Sequence, residues 1–286
     1  MPHAYEQVLT DLTASIDSGE LRPGDLVPTV RDLADRYGVS PSTARQAVEA
    51  LQRTGLAYSG YFDGKRGVRV RSQGRTDFYA TDALRPGRPG GGKDAFTENA
   101  LKAGRSPSKR FTMVMRVPPR GIARRLGLAP DAIAVERTTI QLLDGEPWSR
   151  ERSWYPRDFA ADTGLDSPHD IDEGTIRHLR ARGFEETAAR DEAMDATANQ
   201  QDVADLGVIL GSPLLVQTRT AATNDRVTRV TQTVRLGGRN RLIWETGSDT
   251  GLDVIRRQLI AGSKLAGDVD TDVPEDEYED QDVRTD

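Results

Sequence analysis

Apolar residues recur with helical spacing along the first part of the chain. From Tyr5 to Ile16 they fall three or four positions apart, which predicts an amphipathic helix that ends at Gly19. The segment VRDLADRYGVSPSTARQAVEAL, residues 30–51, repeats this pattern on both sides of Gly38. We therefore predict two further helices joined by a tight glycine turn, which is the spacing of a helix-turn-helix.

Short polar residues mark where the second and third helices begin. Thr29 precedes the second helix and Asp32 follows three residues later, a pairing that resembles a capping box. Ser40 precedes the third helix, and Pro41 occupies its first position, where a missing N–H has no cost. These signals define the start of both helices.

A basic hairpin follows the third helix. The chain reads GLAYSGYFDGKRGVRV over residues 55–70, and Asp63-Gly64 is a strong signal for a two-residue hairpin turn. Valines alternate with arginines from residue 68 to residue 71, so one face of the strand is apolar and the other is cationic. Three helices and a basic hairpin predict a winged helix-turn-helix domain in residues 1–73.

The exposed sides of the third helix and of the hairpin carry groups suited to DNA. Hydroxyls can bind phosphates or base edges, an arginine can bind guanine through two hydrogen bonds, and glycine lets the backbone approach closely. The alternative is a solvated arginine-rich surface on a purely structural helix pair. The order of turn, capped polar helix and basic wing favours DNA binding. The predicted contacts are Ser40, Ser42, Thr43, Arg45, Gln46, Lys65, Arg66 and Gly67.

The remaining chain divides into three parts by composition. Residues 74–106 contain the cluster LRPGRPGGGK, which predicts a linker or a long loop before the next domain. Residues 107–247 alternate strand-like and helical stretches, with a hairpin turn at Asp144-Gly145, and predict a strand-rich antiparallel α+β domain. Residues 248–286 begin with an amphipathic helix and end in an acidic tail that we expect to be disordered.

Composition narrows the classes of function. The chain has 286 residues and no cysteine, which excludes disulfides, thiolate nucleophiles, iron–sulfur clusters and cysteine zinc sites. Its three histidines lack metal-ligand spacing, so we predict neither a metal nor another cofactor. No apolar run approaches the roughly 20 residues that span a bilayer, and the first residues lack a signal-peptide core. We expect a cytoplasmic protein without a membrane partner.

The charge is unevenly distributed. The formal net charge is −6, but residues 266–286 alone contribute −9 and the rest of the chain carries +3. Residues 41–75 hold seven basic and two acidic side chains. A basic patch in an acidic chain is the electrostatic footprint of a polyanionic partner. The alternative is an arginine-rich surface of no special function, since only five of the basic residues are lysine.

The stretch GELRPGDLVPTVRDLADRYGVSPSTARQAVEALQRTGL and the hairpin after it resemble the DNA-binding domain of GntR-type bacterial transcription regulators. The resemblance covers about a quarter of the chain. It implies that Arg31, Thr43, Arg45 and the wing Gly67 contact DNA. The matching positions are Gly24-Asp25, Pro28, Arg31, Leu33-Ala34, Gly38-Val39-Ser40, Thr43, Arg45, Ala47, Leu51 and Gly55-Leu56.

Two positions depart from that pattern. Thr29 stands where the family usually has serine after Leu-Pro. Pro41 stands where the family usually has a basic residue, so one arginine contact is missing. The departures put the sequence of the DNA half-site in doubt, and they leave DNA binding itself intact.

Residues 107–247 resemble the UTRA effector domain of the HutC-type branch of these regulators, a relative of the chorismate lyase fold. The fold class expected for the whole chain is therefore α+β, with an N-terminal winged helix-turn-helix and a chorismate-lyase-like antiparallel α+β domain. The matching elements are Ala123-Arg124-Arg125-Leu126-Gly127-Leu128, Glu136-Arg137, Asp144-Gly145-Glu146-Pro147, Tyr155-Pro156 and the closing hairpin.

The UTRA resemblance implies a small-molecule effector over the sheet, held by an arginine at the position of Arg137. Strand alternation puts Thr139 on the same side, and Arg152 and Trp154 come from the partner strand. A buried arginine suits a carboxylate or phosphate. The alternative is that Arg137 pairs structurally with Glu136 or Glu151. The closing strand reads Arg-Val-Thr-Gln where many such domains have an acid, which argues against a sugar-like ligand.

Two classes of function fit these features. The first is a ligand-responsive transcription repressor that binds a palindromic operator in double-stranded DNA as a homodimer. The second is an enzyme on a chorismate-lyase-like domain with a DNA-binding appendage. The sequence shows no nucleophile–base set, phosphate loop or metal cluster, and this favours the regulator.

Overall fold

The computed structural model describes residues 4–62, 64–72, 76–79 and 93–266. Nine helices and ten strands lie in these ranges. The helices are α1 (Ala4–Asp17), α2 (Val30–Tyr37), α3 (Pro41–Arg53), α4 (Ala95–Lys102), α5 (Arg120–Leu126), α6 (Arg157–Thr163), α7 (Thr175–Ala181), α8 (Gln200–Leu206) and α9 (Asp249–Ala266). The strands are β1 (Ala57–Phe62), β2 (Lys65–Val70), β3 (Thr76–Tyr79), β4 (Pro107–Arg116), β5 (Ala134–Leu143), β6 (Glu146–Pro156), β7 (Ala188–Thr197), β8 (Pro213–Ala222), β9 (Val227–Leu236) and β10 (Asn240–Ile243).

The first three helices pack around one apolar core, as predicted. Thr29 and Asp32 form a complete capping box at the start of α2, and the Ser40 hydroxyl accepts a hydrogen bond from the Thr43 N–H at the start of α3. Gly38 ends α2 in the left-handed conformation with φ of 63°, which glycine adopts without steric cost. The core residues come from all three helices and the hairpin: Val8, Leu12, Ile16, Leu33, Ala44, Ala47, Val48, Leu51, Ala57 and Val70.

The predicted wing is an antiparallel hairpin of β1 and β2. Phe62 pairs with Lys65, so the turn contains two residues. A bridge between Leu26 and Arg69 adds a short third strand segment. Residues 4–72 therefore form the winged helix-turn-helix that the sequence predicted.

The C-terminal domain is built on a six-stranded antiparallel sheet in the order β4-β5-β6-β9-β8-β7. Helices α5 and α8 pack on one face of this sheet, where Leu126 and Leu206 belong to two apolar clusters. Helices α6 and α7 cover part of the other face, where Phe159 and Leu179 pack on Tyr155. The α+β class and the antiparallel sheet agree with the sequence prediction.

The segment 74–106, which the sequence predicted to be a linker, contains a strand and a helix. Strand β3 pairs in parallel with β10, which follows the six-stranded sheet in the chain. Helix α4 starts at the N-cap Asp94 and packs Phe96 and Ala100 against Leu143 and Trp148 of the C-terminal domain. The linker prediction is therefore wrong for this part. It rested on the Pro/Gly cluster and did not take account of the short apolar spacing that follows the cluster.

The C-terminal amphipathic helix is present as α9, with Leu252 buried and Ile255 and Leu259 exposed. Most of the acidic tail, residues 267–286, and most of the Pro/Gly cluster lie outside the described residues. The expectation of a disordered tail therefore stays a prediction.

Candidate nucleic-acid interface and ligand cavity

The polar side of α3 faces solvent. The buried stripe from Ala44 to Leu51 holds this helix against α1 and α2, so its opposite side is exposed. Ser42, Arg45 and Gln46 are exposed, and Thr43 is half-buried. The predicted contacts on this helix therefore lie on one accessible surface.

The hydroxyl of Ser40 already has a structural role. It caps α3 and forms a 2.8 Å hydrogen bond with the Thr43 hydroxyl. This pair fixes the first turn of the helix while its outer lone pairs remain accessible at the surface. Ser40 and Thr43 thus position the N-terminal end of α3, from which a recognition helix contacts base edges.

Two exposed arginines flank this surface. The side chain of Arg45 forms no hydrogen bond or ion pair with any residue that the structure describes. Arg31 lies 3.9 Å from Asp35, and both side chains are exposed, so the pair is weak. These cations are available to an anionic partner at small cost.

The wing presents two more cations and one aromatic ring. Lys65 and Arg66 are exposed, and Gly67 is half-buried. Tyr61 pairs across the hairpin with Arg66, and its side chain is 79% exposed. Alternation puts Tyr61 and Arg66 on the hairpin face whose inner end, at Val68, packs on the helical core. Sequence reasoning missed Tyr61, although an aromatic residue beside a hairpin turn was a visible signal.

The second candidate site is a cavity of about 410 Å³ over the sheet of the C-terminal domain. Its floor consists of alternate residues of β4, β5, β6, β9 and β8, and its rim consists of the start of α4 and the region of α7. This size falls in the range of pockets for small molecules. Charged and hydroxyl side chains dominate the floor, which indicates a polar ligand.

Arg137 lies in the cavity, as predicted, but neither predicted carboxylate holds it. Its guanidinium donates to the backbone carbonyls of Leu165, Ser167 and His169 at 2.8–2.9 Å and lies 4.4 Å from the centre of the Phe111 ring. Burial lowers the pKa of Arg137. Carbonyl dipoles orient this cation without neutralising it, and the charge of Asp170, which pairs with Lys109 at the same cavity, acts on Arg137 without a hydrogen bond to it.

Thr139 and Arg137 share the cavity face, whereas Arg152 and Trp154 do not. Directly opposed residues of an antiparallel pair point to the same side, and Thr138 opposes Arg152 while Glu136 opposes Trp154. Arg152 and Trp154 therefore face the other side of the sheet, where the Trp154 indole donates to Glu136 at 3.0 Å. Their predicted placement in the effector site is wrong, since a register offset of one residue reverses the face.

The residues that β6 does contribute are Glu151 and Ser153. Glu151 lies between Thr139 of β5 and Thr233 of β9. Its carboxylate forms no hydrogen bond with the residues that the structure describes, although its charge acts on Arg229 and Arg235. An acceptor of this kind can bind a hydroxyl or amino group of a ligand.

Three arginines of the closing strands complete the floor. Arg229 pairs with Glu186 and Arg219 pairs with Asp191, each through two hydrogen bonds. Arg235 donates to the amide oxygen of Gln217 at 3.1 Å. Burial lowers the pKa of Arg235 to about 10, and the charge of Glu151 offsets only part of this effect. Three of the four arginines of the floor thus lie on β9 and β8, and two of the three are paired with carboxylates.

The sequence prediction did not include Arg219 and Arg235, and it considered Glu151 only as a partner of Arg137. The signal was present as alternation of polar residues along β8 and β9, from Gln217 to Arg219 and from Arg229 to Arg235. Such alternation in strands covered on both faces indicates a buried polar site.

Other kinds of site lack support in the part of the chain that the structure describes. No group of three or more His, Asp or Glu side chains there could hold a metal ion. Among the same residues, no helix has the length and apolarity needed to cross a bilayer.

Two known families match successive parts of the chain. The family described as bacterial regulatory proteins, gntR family, matches residues 4–61, which hold α1 to α3 and most of β1. The UTRA domain family matches residues 102–239, which hold the six-stranded sheet. The two matches correspond to the two candidate sites.

Relatives of known name span most of the chain. The HTH-type transcriptional repressor NagR of Bacillus subtilis is 26% identical over 218 residues, 76% of this chain and 83% of the relative. The HTH-type transcriptional regulator Rv0792c of Mycobacterium tuberculosis is 31% identical over 226 residues, 78% of this chain and 77% of the relative. The crystal structure of PhnF from Mycobacterium smegmatis has a TM-score of 0.51 at 21% identity, and the similarity covers 85% of this chain and 100% of that one.

The two relatives compared by sequence are named as transcription regulators. This confirms the prediction that the chain is a transcription regulator and disfavours the alternative of an enzyme. The similarity to Rv0792c, at 31% identity over 78% of this chain, is sufficient to assign the chain to the family of that regulator. The chain belongs to the GntR family of bacterial regulatory proteins and joins its helix-turn-helix domain to a UTRA domain.

Proposed function

We propose that this regulator is a ligand-responsive repressor that binds a palindromic operator as a homodimer. The observation that carries the proposal is a cavity containing Arg137, a buried cation held by carbonyl groups, in a chain whose other domain exposes a cationic recognition helix. Such a cavity suits a small anionic molecule, and binding there can change the placement of two DNA-binding domains.

The proposed DNA contacts divide by type. Arg45 and Gln46, which are exposed on α3, are suited to base edges in the major groove. Arg31, Ser42 and Lys65 are suited to phosphates, which fix position without reading sequence. Arg66 and Tyr61 lie on the wing face beside the helical core, and the open backbone at Gly67 allows the wing to approach the minor groove.

The proposed effector carries an anionic group and a hydrogen-bond donor. Arg137 and Arg235 supply positive charge on either side of the Thr139–Ser153–Thr231 floor. Glu151 supplies an acceptor among these cations, and it suits a hydroxyl or amino group. A small carboxylate or phosphate ester with such a group matches the volume and charge of the cavity.

The relatives support repression and no more. NagR is named as a transcriptional repressor, and its similarity spans both domains. A homodimer is favoured because two-fold symmetry of a protein matches the symmetry of a palindromic site.

The test begins with genomic DNA. Purified protein is incubated with fragments of the source genome, and the best fragment is footprinted at several salt concentrations. A short protected palindrome whose affinity falls steeply with salt supports the proposal. A panel of small carboxylates and phosphate esters is then screened by thermal shift, and hits are added to the footprint. Release of the fragment without turnover of the compound supports an effector, and turnover contradicts it.

A further inference from the structure

The two domains are joined by a buried ion pair. Arg71, which directly follows the wing strand β2, is 1% exposed, and Glu146 at the start of β6 is also buried. The Arg71 guanidinium donates to Glu146 at 2.8 Å, to the carbonyl of Pro147 at 3.2 Å and to the carbonyl of Leu206 at 3.3 Å. It also lies over the ring of Tyr58 at 4.9 Å. One side chain of the DNA-binding domain is thus enclosed by the other domain.

Glu146 collects further contacts from both sides of the junction. Its second oxygen accepts from the Ser72 N–H at 2.9 Å and from the Ser72 hydroxyl at 3.0 Å. Arg239 reaches the first oxygen at 3.5 Å and the carbonyl of Gly55 at 3.3 Å. This carboxylate therefore holds the wing strand and the end of the sheet at once.

A second contact fixes the other strand of the wing. The Ser59 N–H of β1 donates to the carbonyl of Gly207 at 2.9 Å. A Cβ atom at Gly207 would lie 2.4 Å from the Ser59 carbonyl oxygen, so the two backbones touch without room for a side chain. The hairpin therefore contacts the C-terminal domain at two separate places, at Ser59 in β1 and at Arg71 directly after β2.

Helix α4 connects this junction with the cavity. Asp94 and Phe96 at its start line the cavity. Phe96 also packs on Trp148, two residues beyond Glu146. Beyond the end of the helix, Arg105 donates to the Ser72 hydroxyl at 3.1 Å and pairs with Asp144. The start of this short helix therefore lines the ligand site, and the segment that follows the helix contacts Ser72, a partner of Glu146.

We propose that Glu146 is a positioning residue for DNA binding, which fixes the wing relative to the C-terminal domain through Arg71 and Ser72. It contacts no DNA, and its effect is confined to the placement of the two winged helices of a dimer. The inference rests on the proposed binding to two half-sites. Through the contacts of α4 and the segment after it, a molecule bound in the cavity can change the hydrogen bonds of this carboxylate with Arg71 and Ser72.

The main experiment compares a full operator with a half-operator. When two linked sites can bind together, the second site raises affinity by about 10²–10⁴-fold. Glu146→Gln keeps the size of the side chain and removes its charge. We expect this variant to bind the half-operator with the affinity of the wild type. Its gain in affinity from the half-operator to the full operator should be at least about tenfold smaller than that of the wild type. Arg71→Lys keeps the positive charge but loses the planar guanidinium, whose N–H groups donate to three acceptors, and it should behave in the same way.

The matched control is Asp158→Asn, which removes a carboxylate from an exposed ion pair with Arg226. It should leave the affinity for both DNAs unchanged. Melting temperatures of all variants show whether folding is intact. The inference would be overturned if the ratio of the affinity for the full operator to the affinity for the half-operator were the same in Glu146→Gln and in the wild type.

A distance measurement keeps the test independent of the dimer. The chain has no cysteine, so Asp17→Cys in α1 and Met194→Cys in β7 create two unique label sites on exposed positions of the two domains. Spin labels on this pair, diluted with unlabelled chain, should give one narrow distance distribution that Glu146→Gln broadens. If the wild type gains nothing from the second half-site, the dimer proposal fails, and this distribution alone decides the role of Glu146. An unchanged distribution would contradict that role.

Discussion

Arg229 and Glu186 form a buried ion pair at the floor of the cavity, with the guanidinium donating to both carboxylate oxygens at 2.8 and 2.9 Å. The Thr228 hydroxyl donates to the same carboxylate at 2.8 Å. Burial acts to raise the pKa of Glu186, but the Arg229 charge and the hydrogen bonds outweigh it and hold this pKa below its ordinary value. The same pair raises the pKa of Arg229 against the effect of burial.

This pair predicts a stability that depends on acidity. A carboxylate whose pKa is lowered by folding stabilises the native state above its unfolded pKa, and this contribution disappears as the pH falls through the folded pKa. Glu186→Gln should destabilise the protein by about 3–5 kcal/mol at neutral pH, since Arg229 loses its partner. The difference from the wild type should shrink as the pH falls below about 4.5. Urea unfolding at a series of pH values measures both effects.

The control for that prediction is Glu185→Gln. The Glu185 carboxylate forms an exposed pair with Arg180, so its loss should cost less than about 1 kcal/mol at any pH. A Glu186 variant that is equally stable at neutral pH would contradict the importance of the buried pair.

Arg45 should determine sequence preference. Arg45→Ala removes an exposed cation from the face of α3, and the expected loss is about 1–3 kcal/mol of operator binding with little loss on random DNA. Fluorescence anisotropy with both DNAs measures this. Arg190→Ala, a change at an exposed arginine on β7, serves as the control. An equal loss on operator and random DNA would identify Arg45 as a phosphate contact instead.

Tyr61 should contribute through its ring. Tyr61→Ala is expected to weaken operator binding, whereas Tyr61→Phe keeps the apolar surface that can pack in a minor groove and should retain most of the affinity. The comparison is made on operators with A·T or G·C pairs at the positions that the wing reaches. Met194→Ala, at an exposed residue of the sheet edge, controls for loss of surface apolar area. Equal affinities of Tyr61→Ala and wild type would remove Tyr61 from the interface.

Two adjacent threonines test which face of the sheet binds the effector. Thr139 lines the cavity, and Thr138 faces the other way, where its hydroxyl donates to Glu136. Thr139→Val should weaken binding of a compound found in the thermal-shift panel by about 0.5–1.5 kcal/mol, the net value of a neutral hydrogen bond. Thr138→Val should leave that binding unchanged. Calorimetric titration measures both, and the reverse order of effects would place the ligand on the opposite face.

Local signals predicted the DNA-binding domain almost completely. The caps at Thr29 and Ser40, the turn at Gly38 and the two-residue hairpin depend on neighbours in the chain, so each could be read from a few residues. The UTRA resemblance implied the position of Arg137 in the cavity, and alternation within its strand put Thr139 on the same face. Local chemistry therefore accounts for the elements and for the residues of each element that point outward.

Long-range relationships were harder to predict. The face on which Arg152 lies depends on the pairing register of β5 and β6, and a shift of one residue exchanges the two faces. The partners of Arg137 are carbonyls of a loop about thirty residues away. The pairing of Arg71 with Glu146 joins two domains and leaves no trace in the local pattern. These features needed the three-dimensional arrangement.

The packing of α4 on Trp148 also sets where the chain can be divided. A fragment that starts at residue 107 would leave the apolar site of Phe96 and Ala100 open and Lys109 without Asp94. A fragment that ends after the wing would leave Arg71 without its acceptors in the other domain. An autonomous ligand-binding fragment therefore begins at residue 93 or earlier. The helix expected to be a passive spacer is a fixed part of the unit that crystallisation or ligand screening would use.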